Sequence, residues 1–171
     1  MEANKLPEPW LRGTLGEVPA VPRAVLHALE LANEDLERWC GPLSDAELSA
    51  PPAGIAPVAF HLRHIARSLD RLLTYAEGKQ LSEAQVAEMK SELEPVAKRE
   101  ELFAELETAL RKSAARIRAF DVGRLNEARV VGKKGLPTTL GGLLVHVADH
   151  TQRHVGQAIT TSRIVLAQRT S

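Results

Sequence analysis

The chain has 171 residues, of which 22 are acidic and 22 are basic, so its formal net charge at pH 7 is zero. This balance argues against binding to nucleic acid or to an anionic membrane surface, because both need a concentrated basic face. No apolar run approaches the length of a membrane span, and the first residues lack the basic-then-apolar pattern of a secretion signal. We expect a single cytoplasmic domain over residues 1–171.

The cysteine content fits a reducing compartment. The single cysteine, Cys40, leaves no internal disulfide. Its spacing after Leu36 and Trp39 places it on the apolar face of a predicted helix. We interpret Cys40 as a small buried side chain and not as a nucleophile.

Apolar residues that recur at spacings of three and four predict four long amphipathic helices. An irregular arm over residues 1–19, rich in proline and glycine, precedes them. The predicted helices span about residues 22–40, 57–78, 96–120 and 139–167. With no convincing sheet and no internal repeat, this pattern predicts an all-α fold. The expected architecture is a four-helix bundle, whose long connections permit topologies other than up-down-up-down.

Shorter elements are predicted in the connections. Capping-box patterns at residues 44–47 and 82–85 predict a helical turn and a short extra helix, the latter ending before Pro95. Residues 124–137 are compatible with a small hairpin or an extended loop before the last helix. Trp10 and Leu11 are expected to hold the N-terminal arm against the body of the domain.

Five of the six histidines fall on the second and the last predicted helices. His146, His150 and His154 are four residues apart, so each stands about one turn above the previous one. Two imidazoles at this spacing can bind one metal ion. His61 and His64 lie in the first two turns of the second helix. If the two helices pack side by side and in the same sense, one of these histidines meets the later pair at similar depth.

The helical wheel leaves the third ligand undecided. At about 100° per residue, His61 lies roughly 60° from the centre of the apolar face and His64 roughly 120°, which slightly favours His61. The sixth histidine, His27, has no complementary neighbours in the sequence. We interpret it as a core residue.

Two segments resemble the DinB-like superfamily, which includes YfiT-type proteins. They are Phe60-His-Leu-Arg-His64-Ile-Ala-Arg on the second helix and His150-Thr-Gln-Arg-His154-Val-Gly-Gln on the last. The run from Pro137 to His150 also resembles this family, and the similarity extends over about residues 22–164.

The resemblance implies a four-helix bundle that binds a divalent metal through one histidine of the second helix and two of the last. Carried over residue by residue, these ligands are His64, His150 and His154, and His64 replaces His61 as the expected ligand. His61 and His146 are then additional histidines beside the site or at its boundary. We expect zinc, with nickel and iron as alternatives, because all three metals accept imidazole ligands.

Three neutral imidazoles leave one position open on a zinc-type ion, which is typical of a catalytic site. Such an ion lowers the pKa of bound water or of a thiol. The resemblance further implies chemistry on low-molecular-weight thiols as cosubstrates. We therefore expect an enzyme that acts on a small-molecule substrate, either as a thiol S-transferase or as a hydrolase. No catalytic residue is assigned from the sequence. The alternatives are a non-catalytic metal-binding protein of the stress or damage response that acts through a partner, and a plain bundle with structural histidines.

Polar residues near the histidines supply further candidates. Gln157, Asp149 and Asn33 are candidates to hold the ligand imidazoles in one tautomer. Arg153 and Arg67 are candidates to orient an anionic substrate, although surface arginines usually do not. Apolar flanks on the first and third helices, together with the resemblance, predict a homodimer.

Overall fold

Six α-helices and one hairpin make up the computed structural model, which describes residues 6–94 and 98–170. The two strands pair antiparallel, with Ala128 opposite Thr139. The elements are α1 (Ala20–Cys40), α2 (Asp45–Ser49), α3 (Val58–Ala76), α4 (Glu83–Lys90), α5 (Arg99–Arg118), β1 (Ala128–Val131), β2 (Leu136–Thr139) and α6 (Leu140–Ala167).

The four long helices α1, α3, α5 and α6 form a four-helix bundle in which α6 lies between α1 and α3, and α5 completes the ring. Gln152 donates to the backbone carbonyl of Ala28, and Ser162 donates to that of Trp39. From the first contact to the second, the residue numbers increase in the same direction along both helices, so α1 and α6 run parallel. The predicted four-helix bundle is confirmed, with the extra helix and a hairpin before α6.

The sense of α3 against α6 differs from the expectation. His61 meets His154 whereas His64 meets His150, so the two helices run antiparallel. Arg129 of β1 supports this, because it joins the hairpin that precedes α6 to the last carbonyl of α3. The predicted parallel packing is wrong. Because α6 has 28 residues, its first ten run beside the C-terminal half of α3 before His150 reaches the first turns of α3.

The core contains the predicted apolar faces of the long helices. Cys40 is fully buried on α1, and burial raises the pKa of its thiol to about 12. The largest fully buried side chains include Leu36, Leu62, Ile65, Leu69, Leu73, Leu106, Ile117 and Leu144. None of the helices within the described ranges combines the length and apolarity that crossing a bilayer requires.

Several element ends differ from the predicted ones. Helix α1 starts two residues earlier, at Ala20. Helix α4 stops at Lys90, which leaves Leu93 exposed on the following turn. Helix α5 starts at Arg99, and the predicted start at residue 96 lies outside the described residues. Of the two structures compatible with the sequence before the last helix, residues 128–139 form the hairpin and not the extended loop.

The N-terminal arm is not held by its aromatic and leucine side chains. Trp10 and Leu11 remain 61 % and 56 % exposed, so the predicted anchoring role is wrong. Arg12 holds the arm instead, through a bidentate ion pair with Glu34 of α1 at 2.6 and 2.8 Å. His27 is buried and lies 3.1 Å from the hydroxyl of Thr14 in the arm, in keeping with a structural role.

Candidate metal centre

Three histidines from α3 and α6 converge on one point. His64, His150 and His154 offer ring nitrogens that all lie within 4.8 Å of one another. The Nε2 atoms of His64 and His150 are 2.9 Å apart, and the His154 ring centroid lies 4.3 Å from that of His64. Among the residues that the structure describes, no other group of three or more histidine, cysteine or acidic side chains converges in this way.

Local helix geometry produces this convergence. His150 and His154 stand one turn apart on the same face of α6, and His64 faces them from the second turn of α3. Phe60, one turn before His64, stacks on its ring with the centroids 5.3 Å apart. The same phenyl ring meets His154 edge-on at 6.3 Å. Phe60 therefore packs against the cluster from the α3 side and limits how its rings can rotate.

Glu92 holds the orientation of His64. Its Oε2 lies 2.6 Å from Nδ1 of His64, and its Oε1 accepts a 2.6 Å hydrogen bond from Arg71. Burial raises the pKa of the Glu92 carboxyl, but the bonds from His64 and Arg71 outweigh it, so the pKa lies below its ordinary value. An ionised carboxylate at Nδ1 places the ring proton there. The lone pair of His64 is then on Nε2, which faces the cluster.

Three arginines on α3 fix the segment that carries Glu92. Arg63, Arg67 and Arg71 are four residues apart and lie on one side of the helix. Arg63 and Arg67 donate to backbone carbonyls of residues 88–94 at the end of α4, and Arg71 binds Glu92 itself. This arginine row attaches an otherwise exposed turn to α3. The predicted substrate role for Arg67 is not supported, since Arg67 also pairs with Glu105 at 2.8 Å.

His61 lies behind His154 and outside the converging group. It is only 5 % exposed, and its Nδ1 is 3.1 Å from Nδ1 of His154. If His154 presents Nε2 to the cluster, its Nδ1 carries the proton and donates a hydrogen bond to Nδ1 of His61. Burial, followed by the charge of His64, lowers the pKa of His61 to about 4, which keeps its ring a neutral acceptor. The wheel correctly placed His61 nearer the core.

The other predicted neighbours are not hydrogen-bonded to the three imidazoles within the described residues, although the ring of His146 lies 5.4 Å from that of His150. His146 is half exposed and has Asp149 at 3.5 Å from its Nδ1, while Asp149 pairs with Arg153 at 2.8 Å. Asn33 donates to Glu37 within α1. Over the described ranges, no hydrogen bond joins Asn33, Asp149 or Gln157 to a member of the converging group. That contact is made by Glu92, which sequence reasoning missed.

Burial and neighbouring charges favour the neutral form of two of the converging imidazoles, His150 and His154. Burial, together with the charge of His64, lowers the pKa of His150 to about 4 and that of His154 to about 3. Neutral imidazole nitrogens are the form that binds zinc-type ions. The donor set, the carboxylate at the back of His64 and the depressed pKa values all fit a divalent metal.

The geometry agrees with the chain's family. The sequence model of the DinB superfamily matches residues 28–158. The chain belongs to the DinB superfamily. No curated protein sequence matches it.

Two solved structures share the DinB bundle. A conserved protein from Enterococcus faecalis superposes with a TM-score of 0.72 at 20 % identity, covering 87 % of this chain and 99 % of the other. YfiT from Bacillus subtilis, described as a probable metal-dependent hydrolase with an unusual four-helix bundle topology, gives a TM-score of 0.62 at 18 % identity. The coverage is 83 % of this chain and 86 % of YfiT. At these identities the likeness establishes the fold.

A cleft of about 420 Å³ adjoins the histidine cluster of this DinB protein. His61 forms part of its wall and also contacts His154, so the cleft and the cluster share a boundary. The rest of the lining comes from the loop before α3 and from α6, and includes Ile55, Ala56, Arg153, Gly156 and Gln157.

Proposed function

We propose that this protein is a divalent-metal-dependent enzyme whose metal is held by His64, His150 and His154. The observation that carries the proposal is the convergence of three ring nitrogens from α3 and α6 within 4.8 Å, a group to which the described residues add no fourth protein ligand. A site with three protein ligands keeps one position for water or substrate, which is the layout of catalytic zinc centres.

A metal bound here supplies a lowered pKa for a water or thiol ligand, and so a nucleophile at neutral pH. The chain's own residues prepare the site for it. Glu92 holds the Nδ1 proton of His64 and leaves Nε2 free, and when His154 binds the metal through Nε2, its Nδ1–H donates a hydrogen bond to His61. Phe60 packs against the rings of His64 and His154 from the α3 side.

Two reactions are compatible with this site, and they differ in whether the nucleophile is an activated water or a thiol. Hydrolysis by an activated water is supported by the structural likeness to YfiT, which is described as a probable metal-dependent hydrolase. Thiol S-transfer is supported by the family resemblance seen in the sequence motifs. Both use the same open position, and the cleft beside His61 offers room for a small organic substrate. The cleft favours an enzyme over a non-catalytic metal-binding protein.

Metal analysis tests the centre itself. Purified protein loaded with zinc, nickel or iron is expected to retain one metal ion per chain after desalting. His64→Ala and His154→Ala are expected to lose it, because two imidazoles remain in each case. His146→Ala is the matched control, since this histidine lies on the same helix outside the converging group, and it should keep the ion. Wild-type protein without stoichiometric metal would refute the proposal.

Activity assays then separate the two reactions. Metal-loaded protein is compared on a panel of nitrophenyl esters and on the conjugation of monochlorobimane with several cellular thiols. If turnover in one of the two panels requires both the metal and His154, that panel identifies the reaction type. Stoichiometric metal without turnover in either panel would favour the non-catalytic binding protein. A cytoplasmic location and a homodimer remain predictions from the sequence, and the mass of the particle in solution tests the second.

A further inference from the structure

The cleft beside His61 follows α6 directly beyond His154. Its volume of about 420 Å³ exceeds what one or two waters fill, and its lining combines polar side chains, among them Thr160 and Thr161, with the apolar surface of Ile55 and Ala56. Its wall at His61 is the same ring that touches His154. A molecule seated in the cleft therefore lies against His61, whose ring separates it from His154.

Gly156 forms part of this cleft and has no packing reason to be glycine. It lies inside α6, where glycine is less favourable than alanine because it loses more backbone freedom on folding. A Cβ atom built on Gly156 would have no other atom within 4 Å, so no neighbour excludes a side chain. The effect of its small size is to leave the cleft open at this point.

Two polar side chains of α6 are available to a ligand. Within the described part of the chain, the Arg153 guanidinium makes one hydrogen bond, from Nη2 to Asp149, and its other donors are free. Gln157, one turn further, also lines the cleft with its amide. A guanidinium matches the geometry of a carboxylate or phosphate. Opposite these groups, Ile55 and Ala56 supply an apolar surface from the loop before α3.

We propose that this cleft holds the non-reacting part of the substrate, and that the substrate is a small molecule with an anionic group joined to a short apolar chain. Arg153 pairs with the anionic group, the apolar chain lies against Ile55 and Ala56, and Gly156 leaves room for the chain because it has no side chain. The inference rests on the proposed metal centre, because the reacting end of the molecule has to lie at the three histidines.

Bifunctional thiols test the cleft without a known substrate. The full chain, loaded with cobalt, is titrated with ω-mercaptocarboxylates of increasing length and with mercapto-alcohols of the same length. Absorption from a thiolate on cobalt reports binding at the metal. At the length that spans the cleft, the carboxylate is expected to bind about tenfold tighter than the alcohol, in line with a charge-assisted hydrogen bond.

Three variants locate the effect. Arg153→Gln is expected to give the carboxylate and the alcohol equal affinities, whereas Lys134→Gln, an equal charge change on the hairpin turn, keeps the difference. Gly156→Leu is expected to weaken both probes about tenfold or more, with an unchanged cobalt spectrum before thiol is added. Gly156→Ala should unfold at the same temperature or about 2–4 °C higher, which shows that the glycine does not serve stability.

The outcomes separate this inference from the proposal on which it rests. A chain that binds no cobalt refutes the metal centre. A chain that binds cobalt and thiols, but shows no carboxylate preference at any length, overturns the assignment of the cleft. The same conclusion follows if Gly156→Leu leaves both affinities unchanged.

Discussion

The carboxylate of Glu92 lies 2.6 Å from Nδ1 of His64, although Glu92 stands on a turn after a short helix that has no buried face. The contact joins residues 28 positions apart and is sealed from solvent, since Glu92 is 6 % exposed. Glu92 thus links the α4 segment to the converging histidines, and its removal tests whether that link matters for metal binding.

Glu92→Gln is expected to weaken metal affinity about 10–100-fold, because an amide no longer fixes the Nδ1 proton of His64 as a carboxylate does. Competition with a chromophoric chelator measures the dissociation constant. Glu94→Gln is the control, since that exposed side chain is two residues away and only its backbone carbonyl binds Arg63. Equal affinities for wild type and Glu92→Gln would show that this carboxylate is not needed for metal binding.

Metal loading is expected to raise the free energy of unfolding. An ion that binds only the folded chain adds about 2.7 kcal/mol at a free concentration one hundred times its dissociation constant. Thermal or denaturant unfolding with and without chelator measures the difference. In His154→Ala the chelator should have little effect, whereas in His146→Ala it should act as in wild type. A chelator-independent wild-type midpoint would contradict the prediction.

The metal-free protein is expected to lose stability as the pH falls from about 6.5 towards 4. The folded pKa values of His61, His150 and His154 are about 4, 4 and 3, below the ordinary histidine value of 6.5. In this window the unfolded chain binds more protons, up to about three from these side chains, so acid favours unfolding. Above pH 6.5 all three are neutral in both states and the effect vanishes.

Urea unfolding of the metal-free protein at several pH values between about 7 and 5 measures this slope. His61→Gln removes one of the three titrating groups and is expected to flatten it. His146→Gln, which is half exposed, should change it less. A stability that does not change with pH across this range would show that the imidazoles are not desolvated in solution.

Cys40 is expected to resist thiol reagents in the folded protein. Its side chain is fully buried and burial raises the pKa of its thiol to about 12, so almost no thiolate is present at neutral pH. The reaction with Ellman's reagent should be slow in buffer and reach one thiol per chain in denaturant. Rapid stoichiometric reaction of the native protein would mean that this part of α1 opens readily.

The helices were predictable from sequence because their signals are local. The serines at 44 and 82 form the predicted capping boxes, and Thr139 caps α6 by accepting from the backbone N–H of Gly142. Apolar periodicity also identified the buried faces, with Leu62, Ile65 and Leu69 fully buried on α3. Each of these features depends on residues within two turns of one another.

The relative sense of the helices was not predictable in this way. The histidines of α3 and α6 occupy similar positions near the N-terminal halves of their helices, and this similarity predicts the parallel packing that is wrong. Their real depth depends on the full length of α6 and on the hairpin at its start, where Arg129 contacts the end of α3. Periodicity within either helix carries no information about this pairing.

The candidate metal site shows the same difference between local signals and contacts between distant segments. His150 and His154 share a helix, and their i, i+4 spacing predicted that two such imidazoles can meet at one ion, although His146 and His150 have the same spacing and the family resemblance made the choice. The choice between His61 and His64 needed the position of α6 relative to α3, which a helical wheel lacks. Glu92 had no signal of its own, but the row Arg63, Arg67 and Arg71 is visible in the sequence. On α3 this row binds the carboxylate of Glu92 and the backbone carbonyls of the segment that follows α4.

The antiparallel pairing of α3 and α6 gives the proposed ion a mechanical role. Its ligands His64 and His150 are 86 residues apart, so an ion between them closes a loop that includes α4, α5 and the hairpin. The two helices then cannot separate until the ion leaves. The rate at which bound metal leaves the chain therefore sets an upper limit on the rate at which these two helices separate, and it can be measured without denaturant.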